Sequence, residues 1–403
     1  MSTRTVRYRF RLYPDPKQEQ SLVRVFGCAR LVHNMMVEIR ESDFQQGLPY
    51  RGYQALSAVL TQVKHDPDYA FLNEVSCVPL QQEVRRVEAA YKRFFGGEGG
   101  KPKYHGRHGS QSVEYTRSAF RNVEQAVNAR WGFVTLAKLG RTRFRSSRTL
   151  PSDPSSLTVI RDPDGTWHVS FVVKEKIEPL SANNRIAAVD VGCRRLASMV
   201  TSDGSRLLFD NPKAYATRER RLARLQAKQA RMMKGSGKWV RCQHRISSLH
   251  ARIRHTRMDA IAKTASLIAR ENQTVIVETL DVKSMLANGP ARKPVADAAM
   301  SMLLRLIGEQ CDKHGRTLVK TSADYPSTRR CSNCGRLADI PLNITVWQCA
   351  ECGVILDRDF NACVNLFDAA GLAESLNAQD ASPARWEPTE HSGKTGCVGI
   401  PVL

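Results

Sequence analysis

The chain opens on a strict alternation. Val6, Tyr8, Phe10 and Leu12 fall on one side of a strand, and Arg7, Arg9 and Arg11 fall on the other. Pro14-Asp15 then marks a helix start, and Leu22, Val25, Phe26, Ala29, Val32 and Met36 recur at helical spacing. Further helices fit residues 53–65 and 79–95. The run Gly96-Gly97-Glu98-Gly99-Gly100, followed by Lys101-Pro102-Lys103, is too rich in glycine for regular structure and predicts a loop. Strand-like runs follow at about 112–117, 131–137 and 156–175, with Asp164-Gly165 as a hairpin turn inside the last. Up to about residue 180 the pattern is a helical piece inserted into a small β-domain.

A second pattern begins near Arg185. Ile186–Val191 reads as a buried strand, Leu196–Thr201 as another, and Ser202-Asp203-Gly204 turns into a third around 206–209. Two long helices fit 213–232 and 240–271, separated by Lys234-Gly235-Ser236-Gly237. The strand Thr274–Glu278 follows, then a Gly/Pro-containing segment at 287–294, a helix at about 295–314, a strand at 316–321 and a helix starting near Asp359. Hairpin strands first, then alternating helices and strands, predict an α/β domain with a mixed sheet. Residues beyond about 373 carry no strong periodicity, and a disordered tail is expected there.

Composition adds little to this picture except through charge. Hydrophobic residues make up 42% and charged residues 25%, an ordinary globular balance. The 61 Lys plus Arg against 39 Asp plus Glu leave a net charge of +22, which favours a polyanionic partner, nucleic acid above all. No apolar run approaches the roughly 18 residues of a membrane span, and the N-terminus has no apolar signal core. A membrane partner is therefore not expected, and a reducing, cytoplasmic compartment is. The charge concentrates between Lys213 and Arg257, where 14 Lys or Arg face a single acid, Glu219. Leu222, Leu225, Trp239, Ile246, Leu249 and Ile253 are spaced to bury one side of this hairpin. Arg220, Arg221, Arg224, Lys228, Arg241 and Arg245 remain to track phosphates.

Two acids stand where a carboxylate is expensive. Asp190 interrupts the apolar run Ile186–Val191, and Glu278 ends Val275-Ile276-Val277. Such a group must be paired, protonated or bound to a cation, because desolvating it alone costs several kcal/mol. A third acidic group lies in Asp357-Arg358-Asp359-Phe360-Asn361. Carboxylates converging from two strands and a helix could hold two divalent ions, and an all-oxygen site suits Mg²⁺ or Mn²⁺. Two such ions can activate water and stabilise the leaving oxygen of a phosphodiester.

The 11 cysteines come without a secretion signal, so a disulfide framework is not expected. Cys331-Ser-Asn-Cys334 and Cys349-Ala-Glu-Cys352, each followed by glycine, form the two-knuckle pattern of a zinc ribbon. Four thiolates close a tetrahedral Zn²⁺ site with no position open for chemistry. The other seven read as free thiols.

Taken together, these features resemble the TnpB family, the transposon-encoded RNA-guided nucleases of insertion sequences, and the compact type V CRISPR effectors related to them. The likeness runs from about residue 6 to 370. It is carried by Arg11-Leu12-Tyr13-Pro14 with Gln18, Gly27-Cys28-Ala29-Arg30 with Asn34, and Ala90-Tyr91-Lys92 before Phe94-Phe95. Asp190-x-Gly192, Glu278, the two cysteine pairs and Asp357-Arg358-Asp359-x-Asn361-Ala362 complete it. The resemblance implies a wedge-like β-barrel (1–14 and 97–180) with a helical recognition insertion (15–96). It also implies a RuvC-like, RNase H-like nuclease domain (181–328 and 353–372), a zinc ribbon (329–352) and a tail (373–403). It further implies catalytic, Mg²⁺-binding roles for Asp190, Glu278 and Asp359, and a lid at about 280–296. The partners it implies are a guide RNA and double-stranded target DNA, with cleavage beside a short duplex motif. By position, Tyr53, Gln81 and Thr116 match contacts to that motif. Cys77-Val78 replace a Lys-Phe pair seen in some relatives, so the motif read here is expected to differ. Two other readings are a nuclease-dead, RNA-guided DNA-binding repressor and a recombinase or accessory protein of transposition. The first would lack one or more of the three acids, and the second would need a nucleophilic Tyr or Ser constellation.

Overall fold

The computed structural model describes residues 3–107, 111–126, 129–288, 292–341 and 343–373. The tail expected at 373–403 lies outside them beyond Ala373. The chain divides into two compact units, one ending at Lys176 and the other beginning at Ile177. Among the described residues no helix is long and apolar enough to cross a membrane.

In the first unit, β1 (Thr3–Tyr13) leads into α1 (Pro16–Gln45), α2 (Tyr53–Val63) and α3 (Cys77–Phe95). The start of α1 follows from its sequence. The Asp15 carboxylate accepts from the Gln18 backbone N–H at 2.8 Å, and the Gln18 side chain accepts from the Asp15 N–H at 3.1 Å. The predicted stripe of α1 is buried, joined by Cys28, Val37 and the polar His33, Arg40 and Asp43. The remaining strands are β2 (Gln111–Thr116), β3 (Phe120–Glu124), β4 (Trp131–Leu136), β5 (Gly140–Arg145), β6 (Ser156–Arg161) and β7 (Trp167–Lys176). They form one seven-stranded sheet in the order β2-β6-β7-β1-β5-β4-β3, and every pairing is antiparallel.

Two of these strands escape the hydrophobic pattern. β5 carries Arg141, Arg143 and Arg145 on its outer face. Arg141 sits 3.5 Å above the Phe133 ring, and Arg143 and Arg145 lie 5.2 and 5.8 Å from the Trp131 ring. The inner face of β5 holds Phe144, which meets Phe10 at 5.3 Å and Phe171 at 5.4 Å between ring centres. β3 is irregular, with a register shift between Arg121 and Glu124 and a left-handed Asn122.

The packing around Phe144 yields a stability prediction. A Cβ on Gly132 would lie 2.4 Å from Phe144 Cζ and 3.0 Å from the Glu124 carbonyl oxygen. Gly132→Ala is therefore expected to destabilise this unit by about 1–3 kcal/mol, the usual cost of overpacking. A urea melt at unchanged m-value is the check.

The second unit is built on a mixed sheet. β8 (Ile186–Val191), β9 (Arg195–Thr201) and β10 (Arg206–Asp210) form an antiparallel meander. After α4 (Glu219–Ala230) and α5 (Gly237–Glu271), β11 (Thr274–Val277) joins β8 in parallel. Then come α6 (Val282–Asn288), α7 (Arg292–Ala298), α8 (Met300–His314) and β12 (Thr317–Lys320), which pairs in parallel with β11. The sheet order is β10-β9-β8-β11-β12. A small hairpin, β13 (Val346–Gln348) with β14 (Ile355–Asp357), precedes α9 (Arg358–Ala369).

The two faces of this sheet are covered differently. Ala187, Val189 and Val191 of β8 and Val275 and Val277 of β11 pack with Ile261, Ala265 and Ile268 of α5 and Leu303 and Ile307 of α8. On the opposite face, Ala188 and Ile276 pack with Cys363, Leu366 and Phe367 of α9. The sequence predicts one helix over 295–314, but the chain breaks it at Ala299, which adopts a left-handed conformation (φ 51°). The cause is tertiary. The buried Asp297 accepts from the Tyr215 and Ala216 backbone N–H groups and pairs with Arg257 of α5, which pins the end of α7.

Candidate active site

The period of a strand decides where the two strand acids go. Residues 188 and 276 face α9, so Asp190 and Glu278, two residues on, continue that same face. The register brings them level as well. Val189 is opposite Val277 in the parallel pair, and the next residues are Asp190, still in β8, and Glu278, directly after the end of β11. α9 supplies the third acid. Its Cys363 donates its S–H to the Ser198 carbonyl oxygen at 3.2 Å, and Ser198 is the cross-strand neighbour of Asp190. Asp359 precedes Cys363 by one helical turn and so lies on the same face of α9.

The two acids of the Asp-Arg-Asp run divide their roles. The Asp357 carboxylate is the N-cap of α9 and accepts from the Asp359 and Phe360 backbone N–H groups, both at 3.0 Å. Asp359, in the first turn, is left to face the strand acids.

Electrostatics record the convergence. Burial pushes the Asp190 carboxyl well above the ordinary carboxylate range, and the Glu278 and Asp359 carboxylates push it further. Glu278 and Asp359 are raised too, both chiefly by burial. Like charges gathered in a half-buried place repel unless a cation sits among them. The acids are less tightly drawn than the cysteines. Among the described residues, only the four cysteines form a group of ligand atoms mutually within 4.8 Å.

Sequence reasoning missed a set of positioning residues. Ser327 Oγ donates to Glu278 Oε1 at 2.8 Å. Asn365 of α9 donates to the Ser327 and Arg330 carbonyl oxygens. Asn361 donates to the Arg330 carbonyl and accepts from the Ser332 N–H, both at 2.8 Å. Both asparagines are buried. The signals in the chain were the place of Asn361 in the Asp357-Arg358-Asp359-x-Asn361 run and the four-residue spacing of the two amides on the buried face of a short helix.

The four ribbon cysteines converge. Cys331 Sγ lies 3.7 Å from Cys352 Sγ, and Cys334 Sγ lies 3.6 Å from Cys349 Sγ. A tetrahedron with Zn–S bonds of about 2.3 Å has edges of about 3.8 Å, so the thiols already have the shape of a zinc site. Gly335 (φ 76°) and Gly353 (φ 70°) make the two left-handed turns, each donating its N–H back to the first cysteine of its pair at 2.9 Å. Cys28, Cys77, Cys193, Cys242, Cys311 and Cys363 are free thiols.

The expected nucleic-acid contacts are placed as follows. Arg220, Arg221, Arg224, Lys228, Arg241 and Arg245 are all exposed on the hairpin of α4 and α5. Its buried seam is Ala214, Leu222, Cys242, Ile246, Leu249 and Ile253, with Cys242 rather than Trp239 in the core. Tyr53 opens α2 under the Arg85 guanidinium at 4.7 Å, and the exposed Gln81 lies one turn before Arg85 on α3. Thr116 ends β2, with its hydroxyl 3.2 Å from that of Ser118.

Against known proteins, a model of the IS605 OrfB family, described as "Probable transposase", matches residues 170–289. One described as "Cas12f1-like, TNB domain" matches residues 301–366. A third, described as "Helix-turn-helix domain", matches residues 1–48. In this chain those last residues form a strand and one long helix. A protein of Streptomyces pristinaespiralis named "Putative RNA-guided DNA endonuclease" is 36% identical over 96% of this chain and 94% of its own length. The similarly named InsQ of Escherichia coli (strain K12) is 26% identical over 95% of this chain and 97% of its own. Among solved structures, a Cas12f1–sgRNA–target DNA complex matches with a TM-score of 0.52 at 12% identity, covering 91% of this chain and 98% of that one. That likeness concerns the fold alone. With the Streptomyces relative matched along nearly its whole length, the chain belongs to the TnpB family.

Proposed function

We infer that this protein is an RNA-guided DNA endonuclease, and that the acids at 190, 278 and 359 form its active centre. The supporting observation is the shared face. Two strands and one helix bring three carboxylates to the same end of the sheet, where burial and mutual repulsion raise the Asp190 pKa. The donor set is all carboxylate, which fits Mg²⁺ or Mn²⁺. When bound, such ions supply an activated water and stabilise the leaving oxygen. The chain's own residues do the rest. Asp190, Glu278 and Asp359 would hold the ions, Ser327 orients Glu278, and Asp357 keeps α9 in place.

The sheet order β10-β9-β8-β11-β12, with acids at the ends of β8 and β11 and on the helix covering them, supports a RuvC-like, RNase H-like reading of the second unit. The seven-stranded sheet with its three inserted helices supports the wedge and recognition roles of the first. Two relatives bear the name "Putative RNA-guided DNA endonuclease", and this chain's net charge of +22 and exposed basic hairpin suit a guide RNA and target DNA. Tyr53, Gln81 and Thr116 are assigned to the duplex motif beside the target. The test uses protein purified with its co-expressed RNA and a plasmid carrying the matching sequence. Cleavage in Mg²⁺ and none in EDTA is expected. Cleavage that persists in EDTA contradicts the metal assignment.

A further inference from the structure

In the first unit, the end of α1, the connection into α2 and the end of α3 enclose a cavity of about 320 Å³. Its rim is aromatic. Phe44, Tyr50 and Phe95 are 85%, 51% and 66% exposed, and Tyr50 meets Phe95 edge-on with 5.9 Å between ring centres. Exposed rings gathered around one opening mark a binding surface.

The lining beneath is polar. Arg40, Asp43 and Tyr91 all belong to the wall, and all are more than nine-tenths buried. The Arg40 guanidinium lies 4.3 Å from the centre of the Tyr50 ring and 4.8 Å from that of Tyr91. Its terminal nitrogens are used. Nη1 donates to the Tyr50 hydroxyl at 2.5 Å, and Nη2 donates to the Arg51 carbonyl oxygen at 2.8 Å and pairs with Glu88. Asp43 Oδ1 accepts from Arg51 Nη2 at 2.8 Å. Arg40 Nε, Asp43 Oδ2 and the Tyr91 hydroxyl are left with no hydrogen-bond partner among the described residues. Buried polar atoms are nearly always satisfied, so three open ones around a single cavity point to a missing polar occupant.

The two halves of the wall restrict that occupant. An apolar ligand would cover the rings and leave the polar atoms unpaired. A sugar would pair the polar atoms and make little use of the ring faces. A planar heterocycle does both. Asp43 Oδ2 needs N–H donors, and the Arg40 Nε–H and Tyr91 O–H need acceptors. Guanine carries N1–H and N2–H₂ side by side, which suits a carboxylate, together with the acceptors O6 and N7.

We propose that this cavity is a nucleobase pocket for guanine, whether of a free nucleotide or of an unstacked position in an RNA strand. Asp43 accepts from the N1–H and N2–H₂ edge, Arg40 and Tyr91 donate to the acceptors, and Tyr50 and Phe95 stack on the base. The pocket belongs to the first unit and the three acids to the second, so the assignment does not depend on cleavage.

The test is equilibrium dialysis of labelled GMP against the full chain, prepared free of RNA and with its co-purified RNA. The RNA-free chain is expected to bind GMP saturably. IMP, which lacks the 2-amino group, is expected to bind about tenfold more weakly, the loss of one hydrogen bond to a charged group. AMP should bind more weakly still. Phe95→Ala is expected to weaken GMP binding about tenfold through lost stacking, and to melt with the wild type because its ring is mostly exposed. Asp43→Asn is expected to erase the preference for GMP over AMP. No saturable GMP binding by the folded RNA-free chain, equal affinity for GMP and AMP, or wild-type GMP affinity in Phe95→Ala would overturn the proposal. GMP shut out of the RNA-loaded chain assigns the pocket to a guanine of that RNA, and undiminished binding assigns it to a free nucleotide; both uphold the pocket. A complex that binds GMP and leaves its matched plasmid intact in Mg²⁺ fails the nuclease reading alone.

Discussion

Asp190→Ala is expected to lower target cleavage by on the order of a thousandfold while leaving RNA and target binding intact. Asp190 sits in the middle of the acid group, on β8, where both Glu278 and Asp359 act on it. Removing it would take away one of the three carboxylates proposed to hold the ions. Metal stabilisation of a phosphoryl transition state is worth several kcal/mol, and about 4 kcal/mol corresponds to about three orders of magnitude in rate. Adding Glu278→Ala or Asp359→Ala to Asp190→Ala is expected to cost little more, because residues acting as one unit do not add. Binding should survive, since Asp190 contributes nothing to the basic hairpin. The metal-free protein should also gain from the substitution. Burial and neighbouring carboxylates raise the Asp190 pKa, so ionising it in the folded state opposes folding. That penalty is absent at pH values below the unfolded carboxyl pKa and grows as pH rises through the raised one. Asp190→Asn is therefore expected to melt higher than wild type in EDTA at neutral pH, and the difference should shrink in acid. Cleavage time courses with a parallel gel-shift measure the first outcome, and thermal melts at two pH values measure the second.

If the four cysteines hold zinc, as their geometry fits, Cys331→Ser is expected to abolish that binding and to impair the proposed active centre indirectly. Structural zinc sites bind with apparent free energies of about 10–16 kcal/mol, and that energy is folding energy for the segment they close. Here the segment does not stand alone. The Ser332 N–H and the Arg330 carbonyl are held by Asn361, and the Ser327 and Arg330 carbonyls by Asn365. Ser327 in turn holds Glu278. Opening the ribbon therefore loosens the base on which Glu278 is oriented. The variant should lose its equivalent of bound zinc by elemental analysis, melt at a lower temperature, and cut slowly even in excess Mg²⁺. Cys77→Ser is the control, because Cys77 is an exposed free thiol outside this network. Equal losses in the two variants would sever the proposed link between ribbon and active centre.

Much of the candidate site could be read from the chain because its chemistry is locally anomalous. A carboxylate inside Ile186–Val191 and another closing Val275–Val277 contradict their own apolar surroundings, and paired cysteines each followed by glycine have few other uses. The helix start at Pro14-Asp15 and the stripe of α1 were legible for a similar reason, since every interaction lies within a turn or two. What escaped depends on distant partners. β5 offers one inward apolar side chain, Phe144, and its arginines are tolerated by stacking on Phe133 and Trp131 of β4. The break at Ala299 comes from Asp297 reaching residues 82 and 40 positions away along the chain, and no window of sequence contains that. Ser327 is likewise an ordinary serine until Glu278, 49 residues earlier, is brought to it. The choice between Asp357 and Asp359 became physical only once the former proved to be the cap of α9.

The most direct test is a crystal soaked in Mn²⁺ and examined by anomalous scattering at the manganese edge. The account predicts manganese held by the carboxylates of Asp190, Glu278 and Asp359, and none there in Asp190→Ala. Manganese bound elsewhere in an enzyme that cuts its target, with these three side chains bare, would contradict it.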